Sequence, residues 1–260
     1  MKHRPLQSRG AARNSHLRSA LIFLCCAALP AFAQITSTSS AQAYPVRPLR
    51  FIVPFPAGGA GDLVVRLLAQ KTGENWHQPV VVDPRAGASG VVGLQIAAAA
   101  PPDGYTLVLG TASTHSINPA LQPGLPYDPV KDFTAIASLI AIPNAIVAHR
   151  ALPARNLQEL IQLARAKPGQ IAYASNGTGT SSHMAAEFLM RSAGIQLLHV
   201  PYKGAGNALN DVLGGHVQLL VGAVSTSLPH VQAGRLTAIA VTGAQRSPAA
   251  PGVPTVAESG

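Results

Sequence analysis

The sequence predicts an α/β fold in two lobes, with mostly parallel sheets flanked by helices. Two observations carry this expectation. From Pro48 onward, short apolar runs alternate with segments whose apolar residues fall at helical spacing. The chain also has 260 residues, 47% of them hydrophobic and only 11% charged, which is enough apolar material for two separate cores.

The elements follow in order. Leu49–Pro54 reads as a strand, and Asp62–Trp76 as a helix that Asp62 can cap. Val80–Val82 is a short strand, and Ser89–Ala100 an Ala-rich helix closed by Pro101-Pro102. Tyr105–Thr111 is strand-like, and Phe133–Val147 holds two β-rich stretches split near Pro143. Asn156-Leu157-Gln158-Glu159 matches a capping box and opens a helix running to Lys167. Ile171–Ser175 and Ile195–Val200 are strands around the helix Ser182–Ala193, which ends at Gly194. Ala208–Leu213 is a short helix. Val217–Val224 and Leu236–Thr242 are strands with the helix Leu228–Ala233 between them. The expected first lobe is 48–143 plus 244–260, and the second is 144–243. Ile140–His149 is the expected crossing between them.

The N-terminus reads as a secretory signal peptide over residues 1–33. Lys2, Arg4, Arg9, Arg13 and Arg18 precede the apolar run Leu21–Ala28, and Ala31-Phe32-Ala33 is a small-x-small cleavage site. Ala41-Gln42-Ala43 offers a second. Residues 34–47 form an expected flexible lead-in. A periplasmic protein follows from this reading. Both cysteines, Cys25 and Cys26, lie in the leader, so the mature chain has no thiol chemistry and no cysteine metal site.

The formal charge of +9 comes largely from the leader; beyond residue 33 the chain carries 14 basic and 10 acidic residues. The basic residues are scattered singly, which argues against nucleic acid as a partner. Catalytic signals are thin. There is no Gly-x-Ser-x-Gly elbow, and the seven histidines beyond the leader are dispersed without metal-ligand spacing. A hydrolytic pair of Ser181 or Ser182 with His183 is disfavoured, because neighbours at a helix start seldom align as nucleophile and base. No enzyme activity, cofactor or metal is expected.

Four strand-to-helix junctions hold the candidate site. Pro54–Asp62 is glycine-rich (Pro56, Ala57, Gly58, Gly59), so amide groups can approach a ligand at a helix start that favours negative charge. It lacks the Gly-Lys-Ser/Thr of a P-loop. Ser175–His183 supplies Asn176, Thr178, Thr180, Ser181 and His183 at a second helix start. His199–Gly206 adds Tyr202, Lys203 and Gly204, and Gly110–His115 adds Thr111 and Ser113 at a strand's C-terminal end, where open α/β sheets bind ligands. Two anion-friendly loops, one from each half, would grip the two ends of a dianion if they faced each other across a cleft.

The motifs RFIVPFPAGG (Arg50–Gly59), PDGYTLVLG (Pro102–Gly110), LPYDPVKDF (Leu125–Phe133), KPGQIAYAS (Lys167–Ser175), GTGTSSH (Gly177–His183), HVPYKG (His199–Gly204) and SPAAPGVPTVAESG (Ser247–Gly260) occur in fixed order. The chain thereby resembles the Bug-type extracytoplasmic receptors of tripartite tricarboxylate transporters, from about Tyr44 onward. The resemblance implies a two-lobed, Venus-flytrap periplasmic binding protein. Such a protein, expected as a monomer, captures a small organic carboxylate for integral-membrane permease subunits. It also implies a ligand carboxylate held at Pro56–Gly59, with the Ser113 region, Thr178–His183 and Tyr202–Gly204 completing the cleft. A sensor presenting the same ligand to a membrane histidine kinase would share these features. Three departures stand out. Asp83–Gly87 replaces the family's Asn-Arg-Pro-Gly-like run. Gly222 and Ala223 stand where an Asp able to hold an amino group often occurs. The chain stops at Gly260, so apolar surface on the first lobe is expected to be uncovered.

Overall fold

A computed structural model describes residues 44–260. The expected signal peptide, both cleavage sites and residues 34–43 of the lead-in lie outside the described residues. The lead-in's last residues are anchored: the Tyr44 ring packs edge-on against Trp76 and Tyr105, and its hydroxyl donates to the Gly104 carbonyl at 2.6 Å.

The elements are β1 (Leu49–Val53), α1 (Ala60–Trp76), β2 (Val80–Pro84), α2 (Val91–Ala98), β3 (Thr106–Val108), α3 (Asn118–Leu121), β4 (Asn144–His149), α4 (Leu157–Ala166), β5 (Ala172–Ser175), α5 (Ser181–Ala193), β6 (Leu198–Pro201), α6 (Ala205–Leu213), β7 (Leu219–Ala223), α7 (Val224–Gln232) and β8 (Leu236–Val241). They build two sheets. The first has the order β2-β1-β3 and is wholly parallel; the second has the order β6-β5-β7-β4-β8. In the second sheet β5 runs parallel to β6 and β7, while β4 runs antiparallel to β7 and β8. Among the described residues no helix is long and apolar enough to cross a membrane.

Side-chain alternation explains why the second sheet takes helices on both faces. Ile146 and Ala148 of β4, with Leu219 and Val221 of β7, pack with Leu157, Leu160 and Ala164 of α4 and Ala186 and Leu189 of α5. The intervening Ala145, Val147 and Leu220 turn to the opposite face, against Ala208, Leu209 and Val212 of α6 and Val224 of α7. The first sheet is thinner: Phe51 and Val53 pack on Val65 of α1, and Val91 and Leu94 of α2 pack with Tyr127. Local capping holds as expected at α4, where the Asn156 side chain accepts from the Glu159 amide at 2.9 Å and Glu159 accepts from the Arg155 amide at 2.6 Å. Gly194 closes α5 in the left-handed conformation, φ 61°, and its amide bonds back to Met190.

Several boundaries differ from the sequence-based expectation. Helix α1 begins two residues early, with Gly59 rather than Asp62 at its N-cap. The 89–100 helix begins at Val91, because Ala88 and Ser89 take left-handed φ values of 44° and 54°. Residues 134–143 form no strand. A strand needs a hydrogen-bonded neighbour, and among the described residues none pairs with this stretch, so Ile136 is 78% exposed and Ile140 51%. The tail was expected to join the first lobe. Instead Thr255 bridges Val241 of β8, while Val256 and Val253 pack on the second sheet's two cores. Those apolar side chains reach the nearest large core, which belongs to the second sheet.

Candidate ligand-binding site

All four predicted junctions lie at the C-terminal ends of strands: β1, β3, β5 and β6. The fold brings them face to face. The ring of Pro56 lies on Gly204, where a built Cβ would come within 2.7 Å of Pro56 Cγ. The Ser181 amide donates to Ser113 Oγ at 3.3 Å, and the Ser89 hydroxyl donates to the Thr178 carbonyl. A Cβ on Gly179 would sit 3.1 Å from Asn118 Oδ1, and one on Gly177 would sit 3.3 Å from Ser89 Oγ. Loops of the first sheet and loops of the second therefore share one junction.

In the first loop, Gly58 adopts φ 82°, a conformation glycine takes without strain, and open space surrounds its Cα. Asp62, the third helical residue, reaches back to accept from the Gly58 amide at 2.9 Å and from Arg66 Nε at 2.8 Å. Burial pushes the Asp62 carboxyl up, but the Arg66 guanidinium and the Gly58 amide outweigh it and hold the group below the usual carboxylate range. The Gly58 amide is thus occupied. The amides of Ala57 and Gly59 have no protein acceptor among the described residues; Ala57 is exposed and Gly59 half-buried.

The second loop is largely satisfied from within. The Asn176 amide donates to Ser182 Oγ at 3.0 Å, and Gly177 donates to Ser175 Oγ at 3.1 Å. Gly179 donates to His183 Nδ1 at 3.2 Å, and Thr180 caps α5 by accepting from the His183 amide at 3.4 Å. Thr180 and Ser182 are buried, whereas Thr178 and Ser181 are exposed and the Thr178 amide has no protein acceptor among the described residues. The open cradle expected of Ser175–His183 is therefore narrower: most of its amides hold the loop's own shape.

The remaining predicted residues divide similarly. Ser113 is buried and reaches Ser181 across the junction, while Thr111 bonds Thr114 in a local turn. The Tyr202 hydroxyl donates to Asp211 on α6; burial, then that carboxylate, pushes its pKa up to about 12. Lys203 is exposed and forms no ion pair among the described residues. No serine–histidine nucleophile forms at 181–183; the close pair is Ser175 Oγ and His199 Nε2 at 2.7 Å, and Ser175 is fully buried. Among the described residues no three histidines, cysteines or acids gather as a metal site.

Sequence reasoning missed Ser89 and Asn118. Both sit at the junction, where Asn118 Nδ2 donates to the Ser89 carbonyl at 3.1 Å. The signals were present: Gly87-Ala88-Ser89-Gly90 is another small-residue strand-to-helix junction, and Asn118-Pro119 marks a helix start. The carbonyl oxygens of the Asn118 and Asn176 side chains are buried and accept no hydrogen bond from the protein, so each suits a donor other than a protein group.

A model described as "Tripartite tricarboxylate transporter family receptor" matches residues 64–260. BugT of Bordetella pertussis is 38% identical over 231 residues, covering 88% of this chain and 71% of BugT. Among solved structures, Rpa4515 of R. palustris with adipate superposes with a TM-score of 0.81 at 34% identity, covering 84% of this chain and 73% of that one. MatC from Rhodopseudomonas palustris with bound malate gives a TM-score of 0.78 at 32% identity, covering 84% and 74%. The family model begins beyond β1 and the first junction and spans the other three junctions. The chain belongs to the tripartite tricarboxylate transporter receptor family and is a Bug-type solute-binding receptor rather than an enzyme.

Proposed function

We propose that the chain captures a small organic carboxylate in the periplasm, at the junction between its two sheets, and delivers it to the permease subunits of a tripartite tricarboxylate-type transporter. The observation that carries this reading is the meeting of Pro56 with Gly204 and of Ser113 with Ser181 at the starts of α1, α6 and α5. The adipate and malate held by the two R. palustris receptors support the ligand class. One carboxylate would take the free amides of Ala57 and Gly59, and the other end of the ligand would meet the Thr178 amide and Ser181. Ser113, Asn176, Thr180, His183, Tyr202 and Gly204 shape the cleft around it. With lobes at 48–143 and 144–243, β4 would be the chain's entry into the second lobe, and hinge closure between the lobes would commit the ligand.

Calorimetry with malate and adipate tests this reading against their diesters. Binding of the acids, loss of binding for the diesters and loss for Gly59→Leu are expected. Gly59 has an ordinary φ of −77°, and a Cβ there would meet the Pro56 carbonyl at 3.7 Å, an ordinary contact, so the larger side chain folds and blocks the amides. Equal binding of acid and ester overturns the carboxylate reading.

A further inference from the structure

Beneath the second loop lies a column of aromatic rings that ligand contact does not explain. His199 on β6 stacks between His183 on α5, with centroids 4.2 Å apart, and Tyr173 on β5, at 4.8 Å, each at 18°. Each histidine holds one end of the loop. His183 Nδ1 accepts from the Gly179 amide at 3.2 Å. His199 Nε2 is 2.7 Å from Ser175 Oγ, which in turn accepts from the Gly177 amide at 3.1 Å. Two neighbouring turns of loop backbone are thus tied to two imidazole nitrogens.

We infer that His183 and His199 are positioning residues for the ligand loop, and that protonation of His183 releases Gly179 and loosens the grip on the ligand. The inference rests on the cleft reading above. The chemistry is specific. To accept from Gly179, Nδ1 must be unprotonated, which leaves the proton on Nε2, facing Glu187 Oε1 at 3.4 Å. A proton added at Nδ1 sets one N–H against another and breaks the bond, while the new charge is welcomed by Glu187. The groups facing His183 are Glu187 of its own helix and His199 of β6; Tyr173 of β5 reaches the same carboxylate with its hydroxyl, at 3.3 Å. Burial, then the neighbouring His183, holds His199 down at about 4, while the Glu187 carboxylate lies within ion-pair reach of His183.

Magnetic resonance on the isotope-labelled, ligand-free protein decides the matter. When the His183 ring takes up its proton as pH is lowered, protection of the Gly179 amide falls about ten-fold, the worth of one backbone hydrogen bond. His183→Asn, whose amide oxygen takes the place of Nδ1 without titrating, removes the step. Glu187→Gln moves the step to lower pH. Flat Gly179 protection across the His183 titration, or a step that survives His183→Asn, overturns the inference. In calorimetry the affinity for malate or adipate falls about ten-fold between the pH at which the His183 ring is neutral and the pH at which it is protonated, and less than about two-fold over the same interval in His183→Asn. An equal fall in both proteins likewise counts against it. If neither acid binds at either pH, the ligand reading fails, and the amide titration still decides this one.

Discussion

Gly204 seats Pro56: a methyl group added to Gly204 would lie 2.7 Å from Pro56 Cγ and 2.8 Å from Cδ. Gly204 has φ 165°, extended backbone open to any residue, so the demand for glycine here is set wholly by the loop across the junction. Gly204→Ala is therefore expected to disturb the approach of the two sheets more than the stability of either. Ligand affinity should fall about ten-fold, with thermal stability lowered by about 1 kcal/mol or less. Pro56→Ala in the same molecule removes the clashing ring atoms and should restore much of the loss. Additive losses in the double-mutant cycle would show that the two residues do not meet in the bound state.

Asp62 ties the first loop to α1 through the Gly58 amide and Arg66. Its carboxyl is held below its ordinary value, so the sign of the pH effect is set. The stabilisation is fully present above the unfolded value of about 3.9 and is lost as pH falls through the lower folded value. Asp62→Asn should lower stability by about 1–3 kcal/mol at neutral pH, and its difference from the parent should shrink on acidification. Urea midpoints across that range check this, and a difference independent of pH would contradict it.

Tyr202 and Lys203 sit beside the junction yet point their chemistry elsewhere. The Tyr202 hydroxyl serves Asp211 and Lys203 is solvated. Tyr202→Phe should cost about 1 kcal/mol of stability while leaving ligand affinity within about two-fold. Lys203→Ala should have a similarly small effect on affinity, because a fully solvated charge contributes little. Calorimetry on both variants separates this from direct ligand contact, which would cost far more.

What was legible in the sequence was local. The apolar run at residues 145–148 does form a strand, and its successive side chains turn to opposite faces because a strand's side-chain period is two. The Asn156–Glu159 box and Gly194 cap their helices by bonds within a few residues. The glycine-rich junctions were visible as well, although which of their amides stay open was not. That depended on Asp62, His183 and Ser182 turning back onto the loops.

By itself, then, the order of residues determined the alternation of strands and helices, the position of the junctions at strand ends, and the family. Tertiary structure alone decided that Ser89 and Asn118 join the site, that residues 253–256 settle on the second sheet, and that His183 stacks on His199. The reason is physical. Caps and periodicity are written in neighbours a few positions apart, whereas these contacts join residues from 14 positions apart, Val241 and Thr255, to 89, Ser89 and Thr178, and only the packed sheets bring them together.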